Sequence, residues 1–413
     1  MLSPEFWDSA DLQEEMRRQF DVCGSCRLCL NFCPAFPKLF DFIDEHDGEA
    51  HSLTNNETQE VNDHCYLCQL CFLRCPYVPP HEWEIDIPNV LRRGKAIKAK
   101  HEGVSLKTRL VGDIEYVGPL GHRTAPVTNW INNNSIVRFA MEKVIGVDRR
   151  AILPKFHAQT FEQWYKGYNS DCSGENGRVV LFYTCLVNYN APEIGKALIK
   201  VLKRNGIQVV CSEQKDCGMP YVDMGNLDHA MRNMSYNIEH LYQWVKEGYQ
   251  VIVPEPTCGM MIKKEYPRLI GTREAAVVAE NTFDISEFLL NLDKKNKLDK
   301  NFVWSPASIS YHMPCHLRHQ QMGNKTLELL RLLPASEIHF VDRGCSGHDG
   351  TWGIKTENFD LSMKVGRRLF NDIDEFQDEC IVTDCSLAGL QITQGTGRET
   401  IHPIQLIMKA YDL

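Results

Sequence analysis

Residues 23–34 read CGSCRLCLNFCP, and residues 65–76 read CYLCQLCFLRCP. Both follow one spacing, Cys-x-x-Cys-x-x-Cys-x-x-x-Cys-Pro: Cys23, Cys26, Cys29, Cys33 and Pro34, then Cys65, Cys68, Cys71, Cys75 and Pro76. Three thiolates at two-residue gaps can wrap three corners of one iron–sulfur cube. The fourth, beside proline, points away and in two-cluster proteins ligates the other cube. The spacing therefore predicts two [4Fe–4S] clusters. The first takes Cys23, Cys26, Cys29 and Cys75; the second takes Cys65, Cys68, Cys71 and Cys33. Four-cysteine zinc sites normally spread as two separated CxxC pairs and do not run on to a terminal proline. Between the motifs, LFDFIDEH (39–46) reads as helix. That favours a mostly helical two-cluster ferredoxin-like domain over a compact βαβ one.

Working outward, residues 1–20 read as a short amphipathic helix. This stretch is acidic and lacks an apolar core of signal-peptide length. On the other side, Asp86-Ile87-Pro88 marks a helix start, with proline tolerated in the first turn, and the helix runs to about Lys100. Arg92 to Arg109 carries seven Lys or Arg against one acid, Glu102. Such a run either docks an acidic partner or a membrane surface, or is a solvated helix face beside anionic clusters. Residues 105–175 contain no metal-ligand set and read as a helical connector.

From residue 178 the pattern changes to short apolar runs alternating with helical stretches, as parallel α/β units do. Strands are expected at 179–184, 207–212, 250–256, 308–313, 337–342 and 380–385, with helices near 191–204, 227–246, 324–333 and 358–371. The series repeats, and the cysteines repeat with it. Asp216-Cys217-Gly218 comes 31 residues after Cys185, and Cys345-Ser346-Gly347 comes 30 after Cys315. Glu255-x-x-Cys258 begins 39 after Asp216, and Cys385-x-x-Ala388 begins 40 after Cys345. Matching offsets indicate an internal repeat. Each station falls at a strand's C-terminal end, where α/β sheets build their sites. The chain thus divides into a ferredoxin-like domain (1–104), a connector (105–175) and two α/β repeats (176–295 and 296–413), an α+β multidomain fold.

The bulk numbers bound the function. The chain has 413 residues, 43% hydrophobic and 24% charged, with 45 basic and 54 acidic side chains and a net charge of −9. It is globular, and a nucleic-acid binder would need a basic footprint. Seventeen cysteines in a chain this long point to reduced, metal-binding thiolates in the cytoplasm and not to a disulfide scaffold. No run of 18 apolar residues exists, so no span across a bilayer is expected. No G-x-G-x-x-G follows a strand, so no bound flavin or NAD is expected.

With these motifs in view, the sequence resembles the CCG-domain (cysteine-rich domain) iron–sulfur oxidoreductases. That family includes glycolate oxidase iron–sulfur subunits, anaerobic glycerol-3-phosphate dehydrogenase C subunits and heterodisulfide reductase subunits. PTCGMMIKKEYPRL (256–269), YHMPCHLRH (311–319) and CSGHDGTWG (345–353) look like family signatures, as does TAPVTNWINNNSIVRFAMEKVIGVD (124–148). The resemblance implies five cysteines per complete repeat, able to hold a non-cubane cluster and to handle disulfides or quinones. Here Asp216 and Glu255 replace two of them in the first repeat, and Ser346 and Ala388 replace two in the second. Neither repeat can assemble a five-thiolate cluster.

Three readings remain for Cys185, Cys217, Cys258, Cys315, Cys345 and Cys385, the candidate catalytic residues. Each trio holds a metal or cluster with one further ligand (Asp216 or Glu255 in the first repeat, water or His348 in the second); or the trios share one site; or they are buried small hydrophobes. His312 and His316 flank Cys315 as ligands, proton shuttles or structural groups. Cys172, Cys211 and Cys380 match no station and read as structural. The leading function is an electron-transfer subunit, an oxidoreductase component. It would pass electrons through two clusters from a redox partner, a flavoprotein, to a quinone or another protein. It would sit in the cytoplasm, or peripherally on the inner face of the membrane. The alternatives are a self-contained oxidoreductase with a three-thiolate site in the repeats, and a non-catalytic redox-sensing or docking protein.

Overall fold

The structure, a computed structural model, describes residues 3–168 and 172–413. The chain divides into two units. The first takes residues up to Gly112 together with Pro220–Ala230; the second takes Asp113–Met219 and Met231–Leu413.

Helices Ser9–Cys26, Ala35–Glu45, Asn55–His64, Leu70–Arg74 and Ile87–Glu102 build the first unit around the cysteine motifs. Asp8 starts the first of these by accepting the backbone N–H groups of Ala10 and Asp11. Its buried face, Leu12, Met16 and Phe20, has a strict i, i+4, i+8 spacing. Leu39, Ile43, Val61, Val90 and Leu91 complete the core, each worth about 1.5–3 kcal/mol when removed from water. The expected helix start at Asp86 is present: its carboxylate accepts the Asn89 N–H at 3.1 Å, and Pro88 occupies the first turn.

The basic run on that helix is largely engaged within the unit. Arg92 is buried and donates to Asn89 Oδ1 at 2.6 Å. Arg93 donates to the Phe6 and Glu5 carbonyls at 2.7 and 2.6 Å and pairs with Asp11 at 2.7 Å. Lys95 pairs with Asp223, Lys98 with Asp63, and Lys100 stands 3.9 Å from the Trp7 ring centroid. These cations anchor the N-terminal segment and the neighbouring helices, so most of the run is no free docking patch.

The second unit carries two parallel sheets. β1 (Gly177–Leu181), β2 (Ile207–Cys211), β3 (Gln250–Val253) and β4 (Thr282–Asp284) stand in the order β2-β1-β3-β4; β5 (Ser308–His312), β6 (Glu337–Val341) and β7 (Cys380–Thr383) stand in the order β6-β5-β7. In both, the first strand of the repeat is central and the next two flank it, all in parallel register. The internal repeat read from the cysteines is thus a repeat of topology. β4 is an addition that the alternation did not foreshadow, because three residues give no period to read. One hydrophobic cluster runs through both repeats, from Val179 and Leu198 to Tyr311, Val382 and Ile407. Among the described residues, no helix is long and apolar enough to cross a membrane.

His402 ties the repeats together. Its Nδ1 accepts the Ile404 N–H at 3.2 Å, starting helix Pro403–Ala410, and its Nε2 donates to the Pro254 carbonyl at 3.0 Å. One donor and one acceptor are the inventory of a neutral imidazole, and burial pushes the ring's pKa down to about 4. In the unfolded chain the ring titrates near 6.5. Its contribution to stability is therefore complete above pH 6.5 and is lost as pH falls toward 4. We expect His402→Gln to flatten the acid-side fall in stability by up to about 1.4 kcal/mol per pH unit. Anaerobic urea titrations between neutrality and mild acid measure this, and a variant as steep as the wild type excludes His402 as the source.

Candidate iron–sulfur centres

Cys23 and Cys26 lie in the last turn of helix Ser9–Cys26, and Arg27 follows in the left-handed region (φ 52°), turning the chain back toward Cys29. In the second motif, Leu67 and Gln69 take the same left-handed conformation (φ 54° and 64°), and the Leu67 N–H donates to Cys65 Sγ at 3.4 Å. Non-glycine residues rarely adopt this region, at a cost of about 1–2 kcal/mol each. Here it wraps the chain so that the thiols share one concave side.

Two voids result. One, about 320 Å³ with its mouth, is lined by Cys23, Cys26, Cys29 and Cys75, walled by Phe40, Tyr77 and Ile85. The other, about 450 Å³ with its mouth, is lined by Cys33, Cys65, Cys68 and Cys71, walled by Phe20, Tyr66 and Leu91. Each void takes three thiols from one motif and its fourth from the other. Phe36 lines both.

The thiols feel each other mainly within these two groups, although Cys29 and Cys23 also raise Cys71. Burial, then Cys29, Cys75 and Cys26, pushes the Cys23 thiol up; burial, then Cys75 and Cys26, pushes Cys29 up to about 12. Burial, then Cys33 and Cys65, raises Cys71. Thiolates crowded this way need a large positive charge among them. Among the described residues, no three His, Cys, Asp or Glu side chains close on one point as ligands of a lone ion do. The donor set and the spread of the thiols suit an iron–sulfur cluster better than a zinc ion with bonds of about 2.3 Å.

In the second unit, all three stations of each repeat lie beyond the C-terminal ends of parallel strands. Cys185 and Cys315 open the short helices Cys185–Tyr189 and Cys315–His319 after β1 and β5. The stations after β2 and β6 share one turn: Asp216 Oδ1 accepts the Gly218 N–H at 2.7 Å, and Cys345 Sγ accepts the Gly347 N–H at 3.2 Å. Both glycines have positive φ, 95° and 89°. Asp216 therefore puts oxygen where the second repeat has sulfur.

In the first repeat, Cys185, Asp216, Cys217 and Cys258 lie near enough to shift one another, without closing on one point as ligands of a lone ion do. Burial, then Asp216 and Cys217, raises the Cys185 thiol. A hydrogen bond to Cys217, then burial, raises Cys258. Burial lifts the Asp216 carboxyl to about 6. Glu255, its equal as a candidate ligand in the sequence, goes elsewhere. Its carboxylate accepts the N–H of Ser386 at 3.3 Å and the Ser386 hydroxyl, at the start of helix Ser386–Thr396 in the other repeat. Burial lifts it to about 7, and burial, then Glu255, pushes Cys385 up to about 12.

The histidines separate similarly. His312 is hydrogen-bonded on both sides, to Thr383 Oγ1 and the Gly344 carbonyl, and His316 to Thr257 Oγ1. His348 is buried with neither ring nitrogen hydrogen-bonded, and burial pushes its pKa down to about 4. Cys211 and Cys380 stand on β2 and β7 and pack against the core; Cys172 is half-buried.

Residues 16–101 match the family described as the citrate utilization protein B Fer4-like domain. Residues 179–263 and 309–393 match the cysteine-rich domain twice. The C subunit of anaerobic glycerol-3-phosphate dehydrogenase from Escherichia coli (strain K12) is 31% identical over 329 residues, 79% of this chain and 82% of that one. The chain belongs to the CCG-domain iron–sulfur oxidoreductase family. The glycolate oxidase iron–sulfur subunit of Escherichia coli (strain K12) is 24% identical over 433 residues, 97% and 98% of the two chains. The lactate utilization protein A of Geobacillus thermodenitrificans is 27% identical over 223 residues, 50% of this chain and 87% of that one.

The two CCG copies of this chain differ in a complementary way. Beyond the shared Cys185 and Cys315, every doubled thiol position keeps sulfur in only one copy: Cys345 but Asp216, Cys217 but Ser346, Cys385 but Glu255, Cys258 but Ala388. Three features of the candidate sites were missed in the sequence. Phe36, between the two voids, carried a faint signal, an aromatic two residues after Pro34. The paired glycine turns were visible only as Gly after the cysteine station. The Glu255–Ser386 bond carried none.

Proposed function

We propose that this chain is an electron-transfer subunit of an oxidoreductase, with two [4Fe–4S] clusters. The first would be held by Cys23, Cys26, Cys29 and Cys75, the second by Cys65, Cys68, Cys71 and Cys33. The observation that carries the reading is the pair of four-thiol voids with exchanged fourth ligands. When bound, the clusters supply one-electron uptake and release, through which the chain would relay electrons from a flavoprotein donor to a quinone or protein acceptor. The protein's own part is to hold the thiols apart at the right span and to keep water from them. Phe20, Phe36, Tyr66 and Leu91 do this on one side, Phe40, Tyr77 and Ile85 on the other. Burial and hydrogen bonds of this kind tune cluster potential. The division at residues 104, 175 and 295 is proposed with it, as ferredoxin-like domain, connector and two CCG repeats.

Anaerobic reconstitution followed by iron analysis and EPR tests this. We expect about eight iron atoms per chain and a reducible cubane signal. Two zinc atoms and no redox signal would remove the proposal.

One observation favours a second reading, an additional site in the first repeat: Asp216 stands beside Cys185 with Cys217 and Cys258 next to them. It requires iron or another metal beyond the ferredoxin-like complement, lost in Cys217→Ala. Identical metal content in that variant dismisses it.

A further inference from the structure

The two cysteine voids differ in how close they lie to the surface. The second is the more interior: Cys65 and Cys68 are only 8% and 7% exposed, and its walls Phe20, Leu39 and Leu91 are buried. The first opens outward. Cys26 is exposed, and Cys23, Cys29 and Cys75 are half-buried. Electrons cross between proteins where a redox centre comes close to the contact. Two clusters placed in these voids are therefore not equally placed to meet an outside protein.

The rim of the first void is apolar and fixed. Leu28 lines it with 55% of its surface exposed, and Leu30 follows at 43%. On the side of the second motif, Trp83 is 42% exposed. Its ring packs on Tyr77 with 4.7 Å between centroids, and Tyr77 walls the void. His81 completes the group, 5.2 Å from Tyr77 and 5.1 Å from Trp83. The loop that carries these rings is closed by the Ile85 N–H, which donates to the Tyr77 carbonyl at 2.9 Å, and Arg18 donates to the Trp83 carbonyl at 2.9 Å. Side chains held in this way have little freedom left to lose on docking. A tryptophan among exposed apolar neighbours is the kind of anchor that protein contacts use.

The charges say what covers it. Arg18 is held by Glu15 at 2.6 and 2.7 Å, and Arg27 by Asp44 in two hydrogen bonds. In residues 18–31 and 74–85 that leaves Asp21, Glu82 and Glu84 exposed against Arg74. An oxidised cube with its four thiolates adds a charge of about −2. An apolar centre in an anionic field suits a partner that carries cations around an apolar contact of its own.

We propose that the cluster held by Cys23, Cys26, Cys29 and Cys75 is the port through which this chain exchanges electrons with another protein. The face of Leu28, Leu30 and Trp83 docks a redox protein whose own centre is ringed by lysine and arginine. The inference rests on the electron-transfer reading and adds the chemistry of the partner. Each encounter moves one electron across the contact and no proton: the donor loses it and the port gains it.

The test is anaerobic stopped-flow mixing of the dithionite-reduced full chain with ferricytochrome c, whose exposed haem edge is ringed by lysines. The second-order rate is expected to fall steeply with salt. Glu82→Lys/Glu84→Lys should slow it about tenfold at low salt, with iron content and the EPR spectrum unchanged. Glu274→Lys/Glu280→Lys makes the same change of charge on helix Arg273–Glu280 of the second unit. It should slow the reaction by less than about twofold. Carbodiimide cross-linking read by mass spectrometry, which needs no electron transfer, should join cytochrome lysines to Asp21, Glu82 or Glu84. Equal slowing in both double variants overturns the port, as does an unchanged rate in Glu82→Lys/Glu84→Lys, or cross-links confined to other carboxylates. These outcomes in a chain carrying about eight iron atoms sink the port alone. A wild-type chain that takes up no iron sinks the electron-transfer reading, and the port with it.

Discussion

Cys75→Ala is expected to remove the cluster of the first motif, and Cys33→Ala that of the second, each leaving about four of about eight iron atoms. A chain in which each motif served itself would give the opposite assignment. The reason lies in the two voids: Cys75 lines the one built by Cys23, Cys26 and Cys29, and Cys33 the one built by Cys65, Cys68 and Cys71. Iron counts on single variants cannot tell the arrangements apart, but pairs can, because two ligands of one cluster do not act additively. Cys75→Ala with Cys26→Ser should lose no more iron than either alone. Cys75→Ala with Cys68→Ser should lose nearly all of it. The reverse pattern, with all iron lost in the first pair and half kept in the second, refutes exchanged ligation. EPR of the singles should show one remaining cubane signal in each, at different potentials.

Gly347→Ala should be the most damaging single methyl group in the second unit. At φ 89° the glycine stands in the left-handed region, and a Cβ would meet the Ser362 carbonyl oxygen at 2.2 Å. The first effect costs about 1–2 kcal/mol, and overpacking against backbone adds about 1–3 more. The turn that presents Cys345 Sγ to the Gly347 N–H would open as well. A loss of roughly 3 kcal/mol lowers the thermal midpoint by about 6–12 °C in a unit of this size. Thermal unfolding followed by circular dichroism measures it. A shift below about 2 °C would show that the Phe359–Phe376 helix, which carries Ser362, yields easily. Gly271→Ala is the control, since it shares a left-handed φ but has nothing within 4 Å of its Cβ. It should cost only the backbone part.

Local chemistry made much of this structure legible. The helix at Ile87–Glu102 announced itself through Asp86 and Pro88, and the helix Leu227–Lys246 and six of the strands lie within a few residues of their expected spans. The repeat was visible because its stations bear cysteine, a residue rare enough for offsets to be counted. What escaped was non-local. Asp216 and Glu255 are equal in the sequence, two acids in place of two cysteines. Only the packing of one repeat on the other separates them, leaving Asp216 beside Cys185 and drawing Glu255 to Ser386. β4 was too short for alternation to register. The connector reads as helical, but that reading does not say which face is inside. Gly118, Gly121 and Arg138 decide that, through contacts with Tyr189, Phe156 and the Asp148 carbonyl.

The single hydrophobic cluster shared by the repeats, stitched by Glu255 to Ser386 and His402 to Pro254, bears on how such a chain could have arisen. A doubled gene segment first yields two interchangeable modules, each able to stand alone. Once the copies share a core and one completes a helix start of the other, neither can be excised or traded for its sibling without baring apolar surface. That interdependence allows the halves to drift apart in their sulfur content while natural selection still sees one indivisible object.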